Sequence, residues 1–115
     1  MRSKSEVIIA NGLAAAGVEY EYEVPLVAPD GSTRWPDFTI EDSDSGRTLY
    51  WEHCGMLGDP QYRRRWERKL VWYREQGILP VDQDTSAARA LVVTEDDARG
   101  GIDSHQITEL IGSLL

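Results

Sequence analysis

A chain of 115 residues, 41% of them apolar, is long enough for one domain that buries its own core. It has no apolar run near the roughly 18 residues of a membrane-spanning helix and no signal-peptide core at its start, which excludes a membrane protein. A net charge of −8 and one cysteine exclude an internal disulfide framework, point to a reducing cytoplasmic setting, and sit awkwardly with nucleic-acid binding, which is driven by phosphate charge.

Ser3 and Glu6 have capping-box spacing, so a first helix is expected from there to a stop at Gly17, with Val7, Ile8, Leu13 and Ala14 as its stripe. Residues 19–27 alternate Tyr20, Tyr22 and Val24 with Glu19, Glu21 and Glu23, the pattern of a half-buried strand. A turn at 29–32 leads to a second strand over 33–40, where Pro36 marks an edge or a bulge. A turn over 42–46 precedes a third strand at 47–54, and 55–60 is a loop. A helix over 61–76 carries Tyr62, Trp66, Leu70 and Tyr73 on one stripe and ends at Gly77. A polar loop over 80–88, a buried strand over 90–94 and a last helix over 103–115, with Ile107, Leu110, Ile111 and Leu114 inward, complete the chain. The order α-β-β-β-α-β-α predicts antiparallel pairing first and a parallel crossover later, hence a mixed sheet flanked by helices.

Chemistry concentrates at the ends of the second and third strands. Asp37 and Glu52 stand 15 positions apart near the ends of two β-prone runs joined by a tight turn. Neighbouring strands would bring their carboxylates together. Paired carboxylates need a proton or a hard cation, and Mg²⁺ suits oxygen ligands of this kind. Glu52 lies in an apolar run where an unpaired charge is costly to bury. Strand alternation puts Glu52 and Cys54 on one face and His53 on the other. Of the 12 Lys and Arg residues, six fall between 63 and 74: Arg63, Arg64, Arg65, Arg68, Lys69 and Arg74. Mixed with Trp66 and Trp72, they form a local basic and aromatic face suited to phosphate contact and base stacking, or simply to water.

The element order, together with Pro36-Asp37-Phe38, Trp51-Glu52-His53-Cys54-Gly55-Met56, Trp66-Glu67-Arg68-Lys69, Tyr20-Glu21-Tyr22-Glu23 and Arg2-Ser3-Lys4-Ser5-Glu6, resembles the PD-(D/E)xK nuclease superfamily. Within it, the phrasing is similar to nuclease domains appended to superfamily 1 DNA helicases, over about residues 2 to 95. The resemblance implies a restriction-endonuclease-like core and Mg²⁺- or Mn²⁺-dependent cleavage of DNA by an activated water, in a monomer, a homodimer or a larger assembly. It implies Asp37, Glu52, the backbone carbonyl of His53 and Glu6 as metal ligands, and Arg63, Arg64, Arg65 and Arg68 as DNA contacts. The superfamily Lys two residues after the Glu is replaced here by Cys54. Lys69 is the expected substitute, with Arg65 and Arg68 as alternatives.

Competing readings stand beside these. Glu6 is also the capping partner of Ser3. His53 is a general base, a phosphate contact or a plain polar residue. Cys54 lacks a base-and-orienter pattern for a nucleophile, and one Cys with two distant His residues does not make a zinc site. The chain as a whole reads as a DNA nuclease, as a catalytically inactive module docking DNA or protein in a helicase or defence assembly, or as an RNA-directed nuclease.

Overall fold

The computed structural model describes residues 3–82, 87–97 and 101–115. Helix α1 (Lys4–Ala15) opens on the expected capping box: the Ser3 hydroxyl accepts the Glu6 amide, and the Glu6 carboxylate accepts the Ser3 amide. Gly17, at φ +72°, takes the left-handed conformation past the helix end.

The next segment differs from the expectation. The single strand expected over 19–27 is two short pieces, β1 (Glu21–Tyr22) and β2 (Leu26–Val27). Between them Glu23 has φ +53° and redirects the chain. The strand expected over 33–40 also divides, into β3 (Thr33–Arg34) and β4 (Phe38–Asp42), with Pro36 buried between them. Proline offers no amide to a ladder, so the break falls there. β2 and β3 pair with each other as a separate ribbon around the 29–32 turn, while β1 pairs with β4. A strand that changes partner keeps its alternation of side chains, so periodicity could not show the break.

Beyond the turn at 42–46 come β5 (Arg47–Cys54), α2 (Pro60–Glu75), β6 (Leu79–Pro80), β7 (Arg89–Glu95) and α3 (Ser104–Leu114). Asp59 caps α2 and Asp103 caps α3 through their carboxylates. β6 occupies the start of the stretch expected as a loop, and residues 83–86 of that loop lie outside the described residues. The main sheet runs β1-β4-β5-β7-β6, antiparallel from β1 to β5 and parallel from β5 to β6. The fold is thus α/β, with a five-stranded mixed central sheet flanked by helices. No helix among the described residues is long and apolar enough to cross a membrane.

Alternation along the central strands divides the core into two layers. Phe38, Ile40, Leu49, Trp51, Ala90 and Val92 pack beneath α1 and α3, against Ile9, Leu13, Ile107 and Ile111. Tyr50 and Leu91 face the other way, against Trp72 and Tyr73 of α2 and Ile78. Each Leu, Ile, Val or Phe among them contributes roughly 1.5–3 kcal/mol by burial. α1 and α3 touch at Gly12, where an added Cβ would lie 3.2 Å from both Ile107 Cγ2 and Ile111 Cδ1. Trp51 is fully enclosed, whereas Trp35 is 54% exposed.

Candidate functional site

The register of β4 against β5 builds the site. Phe38 lies opposite Trp51, so the next pair outward sets Asp37 beside Glu52. Phe38 and Trp51 both point under α1 and α3, and strand alternation turns Asp37 and Glu52 toward α2. There they line a cleft of about 260 Å³ with His53, Cys54, Tyr62, Arg65, Trp66 and Lys69. The two carboxylates are brought to one place by a ladder that the tight turn at 42–46 keeps in register.

Their electrostatics follow from burial. Glu52 is 5% exposed. Its Oε2 accepts a 2.7 Å hydrogen bond from the Tyr73 hydroxyl and is ion-paired with Lys69 Nζ. Burial pushes the Glu52 carboxyl above its ordinary range, and Lys69 and Tyr73 pull against that. Asp37 Oδ2 accepts the His53 amide at 2.7 Å. Burial, followed by repulsion from Glu52 and Glu6, nevertheless drives the Asp37 carboxyl up to about 7. Tyr73 is pushed upward by burial and by Glu52, so it stays a donor. The acids therefore outweigh the charge compensation around them, and their donors are all oxygens. That set fits a hard divalent cation.

Glu6 approaches Asp37 from α1, in a group with Glu23 that does not include Glu52. One carboxylate oxygen each of Glu6, Glu23 and Asp37 lie within 4.8 Å of one another. The capping reading of Glu6 holds: one oxygen closes the capping box, while the other accepts the Tyr22 hydroxyl at 3.2 Å. Burial and the nearby Glu6 and Glu23 push the Tyr22 hydroxyl up to about 12. Glu23 was missed from the sequence. It counted there as the outer face of a continuous strand, and only the left-handed turn at Glu23 itself swings it to the site.

Lys69 comes from α2 onto Glu52, one helical turn before Tyr73. Cys54, where the superfamily pattern has Lys, is buried, and burial with Glu52 and Asp37 pushes its thiol up to about 12. A thiol held so high is neither a nucleophile at neutral pH nor a cation. Of the other basic residues, Arg65 borders the cleft with its guanidinium 5.9 Å from the Tyr62 ring centre. Arg63 donates to the Leu57 carbonyl at 3.1 Å, and Arg63, Arg64, Arg65 and Arg68 are all exposed. Trp66 is half-buried against the α2 layer and borders the cleft.

The His53 ring points away from the cleft. Its Nδ1 lies 2.9 Å from Thr94 Oγ1 and its Nε2 2.7 Å from Asp96 Oδ1, with a side chain only 3% exposed. Both ring nitrogens are thus engaged on the side of the sheet away from Glu52. What His53 presents toward Asp37 is its backbone.

No family model and no solved structure matches this chain. It is similar to an uncharacterised protein of Methanocaldococcus jannaschii, at 37% identity over 122 aligned positions that take in 99% of this chain and 10% of that protein. The chain thus spans about one tenth of the length of the curated relative it matches.

Proposed function

We propose that this chain is a metal-dependent nuclease domain that hydrolyses DNA phosphodiester bonds in the PD-(D/E)xK manner. The observation that carries the reading is the juxtaposition of Asp37 and Glu52 across β4 and β5 with Lys69 reaching Glu52 from α2. Asp37, Glu52, the His53 carbonyl and Glu6 would hold Mg²⁺ or Mn²⁺. Such an ion lowers the pKa of a bound water and offsets charge on the phosphate. The protein's own part is positional. The His53 amide and the Tyr73 hydroxyl orient the two carboxylates, and burial makes them incompletely compensated until a cation arrives. Lys69, ion-paired with Glu52, would take the part of the Lys missing at position 54: moving toward a phosphate oxygen would let it stabilise developing negative charge. Arg65, with Arg63, Arg64 and Arg68 on the same helix, supplies the basic face for the DNA backbone.

The relative's much greater length supports use as one module of a larger polypeptide, which would add the substrate grip that a net charge of −8 does not provide. A buried, reduced Cys54 suits a cytoplasmic setting. Cleavage of plasmid and oligonucleotide DNA with Mg²⁺ or Mn²⁺ tests the reading. Asp37→Asn and Glu52→Gln should each lower the rate by at least about 10²–10³-fold with the fold intact. Equal cleavage by these variants sinks it. The replacement of the family Lys by Cys54 favours a second reading, a docking module of the same fold that does not cut. Calorimetry separates them, because that module would show no Mn²⁺ binding at Asp37.

A further inference from the structure

On the α1 side of β5, behind the cleft, a polar cluster links segments far apart in sequence. Asp96 Oδ1 accepts the Ser5 hydroxyl at 2.6 Å and faces His53 Nε2 at 2.7 Å. Thr94 Oγ1 accepts the Trp51 indole N–H at 3.0 Å and lies 2.9 Å from His53 Nδ1. An indole N–H can only donate, so the Thr94 hydroxyl is free to give its one proton to Nδ1, leaving the ring proton on Nε2 for Asp96. Every partner is then satisfied. Ser5 is 4% exposed, on the helix face turned to the sheet. The Asp96 amide also donates to the Cys54 carbonyl at 3.2 Å, which holds the end of β7 against the end of β5. Asp96 has little slack: a Cβ added at Gly55 would come within 3.3 Å of its Oδ2.

Three of the proposed oxygen donors are one step from this cluster. Glu6 follows Ser5 in the first turn of α1. The His53 carbonyl belongs to the residue whose ring the cluster holds. The Asp37 carboxylate accepts the amide of that same residue. Glu52 is fixed independently, by Tyr73 and Lys69. The N-terminus of α1 and the end of the sheet are thus joined by hydrogen bonds where the donor oxygens must converge.

We infer that Asp96 is a positioning residue for the metal site, setting Glu6 from one side and His53 with Asp37 from the other. The inference rests on the metal-dependent reading above. It has a chemical consequence. Mg²⁺ demands near-ideal octahedral geometry, whereas Ca²⁺ accepts irregular oxygen ligands, so loosening the donors harms Mg²⁺ and Mn²⁺ more than Ca²⁺. Loss of an outer hydrogen-bond partner typically lowers metal affinity about 10–100-fold. Asp96→Asn keeps an acceptor oxygen for Ser5 and His53 while removing the charge. Asp96→Ala removes both.

Calorimetric titration of the metal-free chain with Mn²⁺, Mg²⁺ and Ca²⁺ tests this, with thermal melting in EDTA as the check on folding. Asp96→Ala should weaken Mn²⁺ and Mg²⁺ by about 10–100-fold and Ca²⁺ by much less, and Asp96→Asn should stay within about threefold of wild type. Ser5→Ala, a milder change, should weaken Mn²⁺ about 3–10-fold and serves if Asp96→Ala does not fold. Equal binding by wild type, Asp96→Ala and Ser5→Ala overturns the inference alone. Equal weakening by Asp96→Asn and Asp96→Ala also overturns it, because charge rather than position would then be at work. If the wild type binds none of the three metals, the metal-dependent reading falls and this inference with it.

Discussion

The last residues of β5 meet two different environments. On the α1 side, the His53 ring, Thr94, Asp96, Ser5 and the Trp51 indole satisfy one another. On the α2 side, buried Glu52 and half-buried Asp37 meet Lys69 and a few donors, and both carboxyls are held above their ordinary ranges. One strand thus carries a satisfied polar cluster and an under-compensated one, back to back. The satisfied side can hold geometry. On the other side the buried charge is incompletely compensated, which costs free energy.

Removing the charge partner on the α2 side should break this contrast most strongly. Lys69→Met leaves Glu52 buried without its cation, which should cost about 3 kcal/mol or more in urea unfolding. Adding Glu52→Gln to that variant should restore most of the loss. If Lys69→Met alone unfolds like wild type, the pair does not compensate Glu52.

A smaller effect, and one with a definite sign, comes from Asp37. Burial raises its folded carboxyl from the ordinary 3.8 to about 7. Between those values the folded chain keeps a proton that the unfolded chain has lost. The stabilisation is therefore complete below pH 4 and disappears as pH rises through 7. At about 1.4 kcal/mol per unit, and discounted for partial exposure, this is on the order of 2–4 kcal/mol. The melting temperature of metal-free protein should fall from pH 5 to pH 8, and Asp37→Asn should flatten that fall. Identical slopes for the two proteins would contradict it. Mn²⁺ affinity should rise over the same interval, since the proton must leave before the metal binds.

The smallest expected change tests whether the cleft meets substrate at its rim. Trp35 is half exposed only two residues from Asp37. Base stacking on such a ring is worth roughly 1–3 kcal/mol, so Trp35→Ala should weaken binding of single-stranded DNA at least about fivefold. The melting temperature should not move. Unchanged binding would make Trp35 a bystander.

Much of the frame was legible in the residues. Capping pairs, glycine stops and apolar periodicity located α1, α2, α3, β5 and β7, because those signals are local. The pairing of Asp37 with Glu52 could be anticipated because one tight turn joins their strands. Lys69 could be named only through the resemblance, with Arg65 and Arg68 as alternatives. The breaks at Glu23 and Pro36 were less legible, since alternation continues through a change of partner. β6 escaped notice because two residues are too few to carry a period.

The sequence by itself determined the mixed α/β order, the carboxylate pair, a Cys two residues after Glu52 and the basic run on α2. These are matters of residue type and short-range spacing. Only the tertiary structure decided that Glu23 joins the acids, that Lys69 reaches Glu52, and that His53 turns its ring away to Asp96 and Ser5. Those contacts link residues up to 91 positions apart. Spacing along the chain says nothing about such separations, which are set by sheet register and by the packing of α1 and α2 on opposite faces.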